Sequence, residues 1–415
     1  MGAELLSASE GWELACIGCG SLAETELPDS RCRKCGDLLE IAISRDVGGP
    51  ALFLGNGPGI WRFRQALPFP PGIEPVSLGE GGTPLVRTKR LASSVGLDKL
   101  YAKNDGQNPT GSFKDRGMSV AVTRARTLGA KALICASTGN TAASLAAYAA
   151  KAGLYSVVVV PRAGVASGKL GQAFAYGARV FGVEGNFDQA LATVFDLVRR
   201  DERFYLMNSV NPFRIEGQKI TAFEIYEQLG RVPDYVVLPV GNAGNISAIW
   251  KGFKELRKSG VVDSAPSMMG VQAAGASPLA TAFSTGGDFK PLKEPRTVAS
   301  AIRIGNPVSW KKALRAITES GGRAVVVSDD EIMAARRRLA EDEGLLVEAA
   351  SAAPFAALTR LKLPRGATVV CIATGNGLKD LSDHGGEQRI ESAVDGQSIS
   401  NLVGKGLSIA GTTLG

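Results

Sequence analysis

The stretch Lys131-Ala-Leu-Ile-Cys-Ala136-Ser-Thr-Gly-Asn-Thr141, with the alanine-rich run that follows it to Lys151, decides the fold class. Its first half is a short apolar run, as a fully buried strand requires. Then comes a turn of hydroxyls, glycine and amide, in which Asn140 or Thr141 suits a helix cap. The run 141–151 is helical in pattern. The same order of strand, turn and helix recurs outward along the chain. The run 155–160 precedes a helical pattern through 169–176, 179–183 precedes 187–200, and 235–240 precedes 246–258. Residues 367–373 make a further strand. Strands that alternate with helices predict an α/β protein with parallel sheets covered by helices on both faces.

A chain of 415 residues can bury more than one core, which predicts two or more domains. Net charge is +7, yet lysine and arginine are spread along the chain. The densest cluster, Arg336-Arg337-Arg338, falls in a helical pattern beside Glu341, Asp342 and Glu343. It reads as a solvated helix face and not as a nucleic-acid surface. No apolar run reaches membrane-spanning length, and the N-terminus has no basic-then-apolar leader. The expectation is a cytoplasmic protein with reduced thiols and with no nucleic-acid or membrane partner.

Four of the six cysteines, Cys16, Cys19, Cys32 and Cys35, form two C-x-x-C pairs, each followed by glycine. Two such turns can present four thiolates tetrahedrally to one zinc ion. A redox pair and four free thiols are the competing readings, and a reducing compartment favours zinc. Cys135 and Cys371 lie in apolar strand-like runs and read as core residues. Residues 48–75, rich in Gly, Pro and aromatics, read as an irregular connector. The Gly/Ser-rich stretch after Gly396 reads as a loosely packed tail.

Four segments carry chemistry. In Asn108-Pro-Thr-Gly-Ser-Phe-Lys-Asp-Arg-Gly117, Ser112 and Asp115 resemble a capping box, so a helix should begin near Phe113. Lys114 would then sit at the positive end of a helix, which disfavours its ammonium and supplies the neutral amine that Schiff-base chemistry needs. Ser137-Thr-Gly-Asn-Thr141 gathers hydroxyls, an amide and backbone N–H groups at a helix N-terminus, a natural seat for a carboxylate. Pro239-Val-Gly-Asn-Ala-Gly-Asn245 follows a strand and opens a helix, so its N–H groups can wrap a phosphate. It has neither the P-loop nor the dinucleotide spacing. Thr374-Gly-Asn-Gly-Leu-Lys379 places a hydroxyl at a strand carboxyl end, where open α/β sheets bind ligands. Each segment alone is an ordinary turn. Together they hold what an amino acid bound to pyridoxal phosphate (PLP) requires.

These segments, with Ala301-Ile-Arg-Ile-Gly-Asn-Pro307, resemble the hallmark blocks of fold-type-II PLP enzymes, most closely of threonine synthases. The resemblance covers residues 78–380. Serine and threonine dehydratases usually lack the Asp after the lysine and tend to carry an all-glycine phosphate loop. The resemblance implies two three-layer α/β domains with largely parallel sheets, after an N-terminal zinc-ribbon-like segment at 1–45. The large PLP-binding domain would span 46–133 and 225–396, the small mobile domain 134–224, and the tail 397–415. A homodimer is the expected assembly.

The resemblance also implies roles. Lys114 carries the cofactor and then moves protons. Asn140 meets the ring oxygen of PLP. Gly241, Asn242, Ala243, Gly244 and Asn245 hold its phosphate, and Thr374 meets its pyridine nitrogen. Ser137, Thr138 and Thr141 take the substrate carboxylate. Asn208, Ser209 and Arg214 take a substrate phosphate, for which the guanidinium fork is well shaped. The implied reaction turns O-phospho-L-homoserine and water into L-threonine and phosphate. A single histidine, His384, makes a His-based triad improbable. The rivals are a serine or threonine dehydratase, a cysteate-synthase-like enzyme, or a non-catalytic relative that only binds PLP.

Overall fold

The apolar runs become strands of two mainly parallel sheets, in a computed structural model that describes residues 11–23, 28–43, 49–162, 167–286 and 288–383. Side chains are described for all of these except 167–169 and 381–383. His384 and the tail at 397–415 lie outside the described residues. By its contacts the chain divides into a unit Met1–Lys379 and a unit Asp380–Gly415.

Three strands open the chain: β1 (Trp12–Cys16), β2 (Leu22–Ala23) and β3 (Leu39–Ile43), antiparallel in the order β2-β1-β3. A six-stranded sheet follows, built from β4 (Leu85–Arg87), β5 (Lys99–Asn104), β10 (Tyr235–Pro239), β11 (Ser267–Ala273), β12 (Arg323–Val327) and β13 (Thr368–Ala373). Its order is β12-β11-β10-β13-β5-β4, parallel except for the edge strand β4. The third sheet holds β6 (Ala132–Ala136), β7 (Tyr155–Pro161), β8 (Arg179–Val183) and β9 (Phe204–Leu206), all parallel in the order β8-β7-β6-β9.

The helices are α1 (Lys89–Ser94), α2 (Lys114–Thr127), α3 (Asn140–Ala152), α4 (Ser167–Ala175), α5 (Phe187–Arg200), α6 (Pro212–Leu229), α7 (Gly244–Lys258), α8 (Pro278–Thr285), α9 (Trp310–Glu319), α10 (Asp329–Glu343), α11 (Ala349–Ala356) and α12 (Leu358–Leu361). Among the described residues, no helix is long and apolar enough to cross a membrane.

Two of these helices fix the geometry of the site. Helix α6 is capped by Asn211, whose Oδ1 accepts from the N–H of Phe213 at 2.9 Å, and Pro212 opens its first turn. Helices α2 and α6 then meet backbone to backbone. A Cβ at Gly117 would lie 2.6 Å from the carbonyl oxygen of Arg214, and one at Gly217 would lie 1.9 Å from that of Arg116. No side chain fits at either position, so the two glycines set how closely Lys114 and Arg214 approach.

Two expectations need correction. No capping box forms at Ser112. The carboxylate of Asp115 instead accepts from the N–H and hydroxyl of Thr110 at 2.7 and 2.6 Å and from Ser144 at 2.6 Å, because the buried loop offers two donors there and α3 a third. Arg336 is not on a solvated face. It is buried, and its Nε donates to the carbonyl of Val347 at 2.9 Å. The stretch expected as an irregular connector is irregular among its described residues, 49–75, with 3-10 turns but no strand or α-helix; it also packs into the core. Trp61, Phe63 and Phe69 are buried in the main core, and Trp61 Nε1 donates to Ser119 Oγ at 2.7 Å. Each such ring contributes about 1.5–3 kcal/mol by burial.

Candidate active site

All four chemical segments lie at the carboxyl ends of parallel strands. Residues 105–113 lead from β5 into α2, 137–139 from β6 into α3, 240–243 from β10 into α7, and Thr374 directly follows β13. Helix α2 begins at Lys114 itself, with the N–H of Phe113 donating to the carbonyl of Thr374 at 3.0 Å and Ser112 bridged to Gly375. The Lys114 loop is thereby sewn to the end of β13. The Nζ of Lys114 lies 4.2 Å from the centre of the Phe113 ring. Its pKa falls from the usual lysine range to about 7, first because burial strips water from the ammonium and next because Arg214 repels it; Glu348 opposes both.

Asn140 opens α3, and its Nδ2 donates to both carboxylate oxygens of Glu348, at 3.0 and 2.9 Å. Glu348 caps the start of α11, and its N–H donates to the carbonyl of Gly375 at 3.0 Å. Thr374 is buried, with its hydroxyl 2.9 Å from that of Ser351. Ser351 Oγ also accepts from the N–H of Gly375 at 2.8 Å. Lys114, Asn140 and Thr374 are therefore held around one centre, joined by Glu348 and Ser351. Sequence reading missed both joining residues. Their only signal is a Glu and a Ser bracketing an alanine-rich helix start, which resembles many helix starts.

In the turn after β10, Ala243 takes a left-handed conformation at φ 65° and serves as the N-cap of α7. That is an uncommon geometry for a residue with a Cβ, and it turns successive N–H groups toward one side. Both polar atoms of the Asn245 amide are buried without a partner among the described residues, as is the hydroxyl of Ser309. The N–H of Ser309 donates to the carbonyl of Asn242 at 3.2 Å, so Ser309 belongs beside this turn. Buried polar atoms left unpaired cost about 1–3 kcal/mol each, and a phosphate would accept from the Asn245 Nδ2 and the Ser309 hydroxyl. The residues thus fit the phosphate of PLP.

Arg214 sits in the first turn of α6, buried, with one hydrogen bond, from Nη1 to the carbonyl of Met207 at 3.0 Å. Its Nε and Nη2 have no partner among the described residues, and burial lowers its pKa to about 10, which leaves it charged at neutral pH. Asn208 is more engaged. Its Oδ1 accepts from the N–H of Ala136 and its Nδ2 donates to the carbonyl of Ala136, both at 3.0 Å, which continues the β6 edge. Ser209 is half-buried, as are Ser137, Thr138 and Thr141 at the start of α3. The hydroxyl of Ser137 accepts from the N–H of Gly139 at 3.2 Å.

The four N-terminal cysteines converge, with all four Sγ atoms within 4.8 Å of one another. Cys16 and Cys35 are 3.3 Å apart and Cys19 and Cys32 are 3.8 Å apart. Cys135 and Cys371 are buried in the strands, as core residues.

Residues 76–375 match the family model of pyridoxal-phosphate dependent enzymes. The threonine synthase of Methanocaldococcus jannaschii is 51% identical over 375 residues, covering 88% of this chain and 92% of its own length. That of Methanosarcina acetivorans is 50% identical over 380 residues, covering 89% and 92%. Among solved structures, maize serine racemase superposes with a TM-score of 0.63 at 21% identity, covering 79% of this chain and 93% of that one. Threonine deaminase isoform 2 from Solanum lycopersicum does so with 0.61 at 22%, covering 77% and 82%. The last two share the fold, which bears out the expected fold-type-II architecture. By the family match and by half-identity over most of its length, the chain belongs to the pyridoxal-phosphate-dependent enzymes, among the threonine synthases.

Proposed function

We propose that the protein converts O-phospho-L-homoserine and water to L-threonine and phosphate, the closing step of threonine formation. The observation that carries this is Arg214. A guanidinium in the first turn of a helix opposes the helix dipole, and burial without a carboxylate among the described residues adds to the cost. A doubly charged phosphate on the substrate would offset both. Bound PLP supplies the electron sink for the carbanion chemistry.

Lys114 would bind the cofactor in the resting enzyme and, once displaced by the substrate amine, take the α-proton on Nζ. Its depressed pKa keeps that nitrogen able to accept a proton near neutrality. A second proton leaves Cβ as phosphate leaves Cγ, the hydroxyl of water adds at Cβ, and the two protons removed together with the one from water return to Cγ, to Cα and to the departing phosphate. Gly241, Asn242, Ala243, Gly244 and Asn245 would hold the cofactor phosphate. Asn140 would face the ring oxygen, and Thr374, steadied by Ser351, the pyridine nitrogen. A hydroxyl there does not force the ring to be protonated. Ser137, Thr138 and Thr141 would seat the carboxylate at the start of α3. Arg214 and Ser209 would take the substrate phosphate, while Asn208 has one N–H left for it. Phosphate release from O-phosphohomoserine, with threonine identified as the product, tests the reading. Brisk deamination of serine or threonine with no turnover of the phosphorylated substrate would overturn it.

The reading includes a small domain around β6–β9 that moves against the rest, a homodimer, a cytoplasmic setting and a structural zinc. Cys16, Cys19, Cys32 and Cys35 suit zinc because a tetrahedral site with Zn–S near 2.3 Å needs sulfurs about 3.8 Å apart. Four thiolates leave no open position, so the metal's part is structural. Elemental analysis of protein purified without chelators should find one zinc per chain, and finding none sinks the assignment.

A further inference from the structure

Resting on the cofactor reading above, we propose that Glu348 is a positioning residue that fixes the Asn140 amide so that an N–H faces the cofactor's ring oxygen. A carboxylate accepts hydrogen bonds and donates none. With Nδ2 at 2.9 and 3.0 Å from the two oxygens of Glu348, the flipped amide would set its carbonyl oxygen against an anion. The carboxylate therefore selects one of the two amide orientations. The two carboxylate oxygens subtend far less than the roughly 120° between the N–H bonds of Nδ2, so one N–H is shared between them and the other is presented from the same nitrogen. A ring oxygen that carries negative charge needs that donor, and the opposite orientation would repel it.

The placement of Glu348 is built into the fold. Its N–H is tied to Gly375, and Val347 is bridged to Asn376. A Cβ at Gly375 would lie 2.1 Å from Oε2 of Glu348, so the carboxylate occupies space that any other residue at 375 would fill. Glu348 is 5% exposed, which limits the water available to screen its charge. Two charged groups act on Lys114: Arg214 from α6, which disfavours its protonation, and Glu348, which favours it.

The test uses E348Q in the PLP-loaded protein, followed by the absorbance of the lysine-bound cofactor against pH and by PLP affinity. The midpoint at which the lysine-bound nitrogen loses its proton should fall by about one unit or more, the scale of losing a nearby opposite charge. PLP affinity should weaken about tenfold, as for a misdirected hydrogen bond to a charged group. In an N140A background, E348Q should weaken PLP no further, because its effect on affinity passes through the amide. An unmoved midpoint, or additive losses of affinity in the double variant, overturns the proposal. Should E348Q not fold, E348D carries the test. It keeps the charge but withdraws the carboxylate from the amide, so affinity should fall while the midpoint stays near that of the parent. Parent-like affinity in E348D overturns the proposal. A parent protein with a normal band that makes no threonine would break the functional reading and leave this one standing.

Discussion

Arg116 and Arg214 are both buried on helices that touch, yet their surroundings are opposite. Arg116 donates from Nε to both oxygens of Asp105 at 3.2 Å, from Nη1 to Glu224 at 2.8 Å, and from Nη2 to Glu224, Asp105 and Thr83 at 2.7–3.0 Å. Lys103 completes the cluster, with bonds to Glu224 and to the carbonyl of Thr83, both at 2.7 Å. These charges hold Glu224 far below the usual carboxylate range and raise Arg116 above the usual arginine value. Among the described residues Arg214 has one carbonyl and two unpaired nitrogens, and its pKa moves the other way. A buried charge whose partners are all within the fold joins elements of the fold, here β5, α2 and α6. A buried charge without them carries a cost that a ligand must offset.

The largest test of that contrast is Lys114→Ala. It should abolish both the lysine-bound cofactor band and turnover, yet leave folding nearly intact, since Lys114 forms no ion pair among the described residues and its pKa is already lowered to about 7. A variant that keeps a borohydride-reducible bond to PLP and full activity would show the wrong lysine has been chosen. Glu224→Ala should act on the other side of the comparison. It leaves two buried cations, Arg116 and Lys103, with Asp105 as the remaining carboxylate of the cluster, so unfolding in urea should show a loss of about 3–5 kcal/mol. The sign with pH follows from its depressed pKa. The stabilisation is complete above the unfolded carboxylate value, about 4.3, and disappears as pH falls through the lower folded value. A Glu224→Ala protein as stable as the parent would end the claim that this cluster is structural.

Arg214→Ala should do the reverse: little change in urea, normal PLP content, and a loss in kcat/KM for O-phosphohomoserine. Losing a buried two-pronged contact costs about 2–5 kcal/mol, or tens to thousands of fold. Arg214→Lys should recover only part, because a point charge cannot reproduce the fork. Loss of PLP with parent-like kinetics after reconstitution would assign Arg214 to the cofactor phosphate instead.

The sequence made the strand ends legible because β6, β10 and β13 are buried on both faces and read as unbroken apolar runs. It hid β5, whose Lys-Leu-Tyr-Ala-Lys-Asn reads as polar, because the partners that let Lys103 lie buried in a sheet come from 121 and 125 residues away. Glu348 and Ser351 were hidden for the same reason: each acts across more than 20 residues, on Asn140 and Thr374. Capping chemistry misled at Ser112, where local spacing suggested Asp115 as its partner and the fold supplied Thr110 and Ser144. Local patterns could name the groups that face a ligand, but not those that hold them in place.

The smallest expected effect joins the two regions through Lys114. Only the neutral amine attacks the cofactor, so the rate of PLP capture by the apo-protein should rise with pH through about 7 and then level off. An ordinary lysine would keep gaining nearly tenfold per unit up to about pH 10. Stopped-flow absorbance against pH measures this, and a rate still climbing steeply between about pH 9 and 10 would refute the depressed value. The two charged neighbours then sharpen the comparison in opposite directions. Arg214→Ala removes a repulsion and should move the midpoint up, whereas E348Q removes an attraction and should move it down. Both shifts should be smaller than the displacement from the ordinary lysine value, because desolvation is the largest cause and neither substitution restores water to Nζ. If Arg214→Ala alone returned Lys114 to the ordinary range, charge would outrank burial here, and the unpaired arginine would be a device for activating the lysine as well as a seat for phosphate.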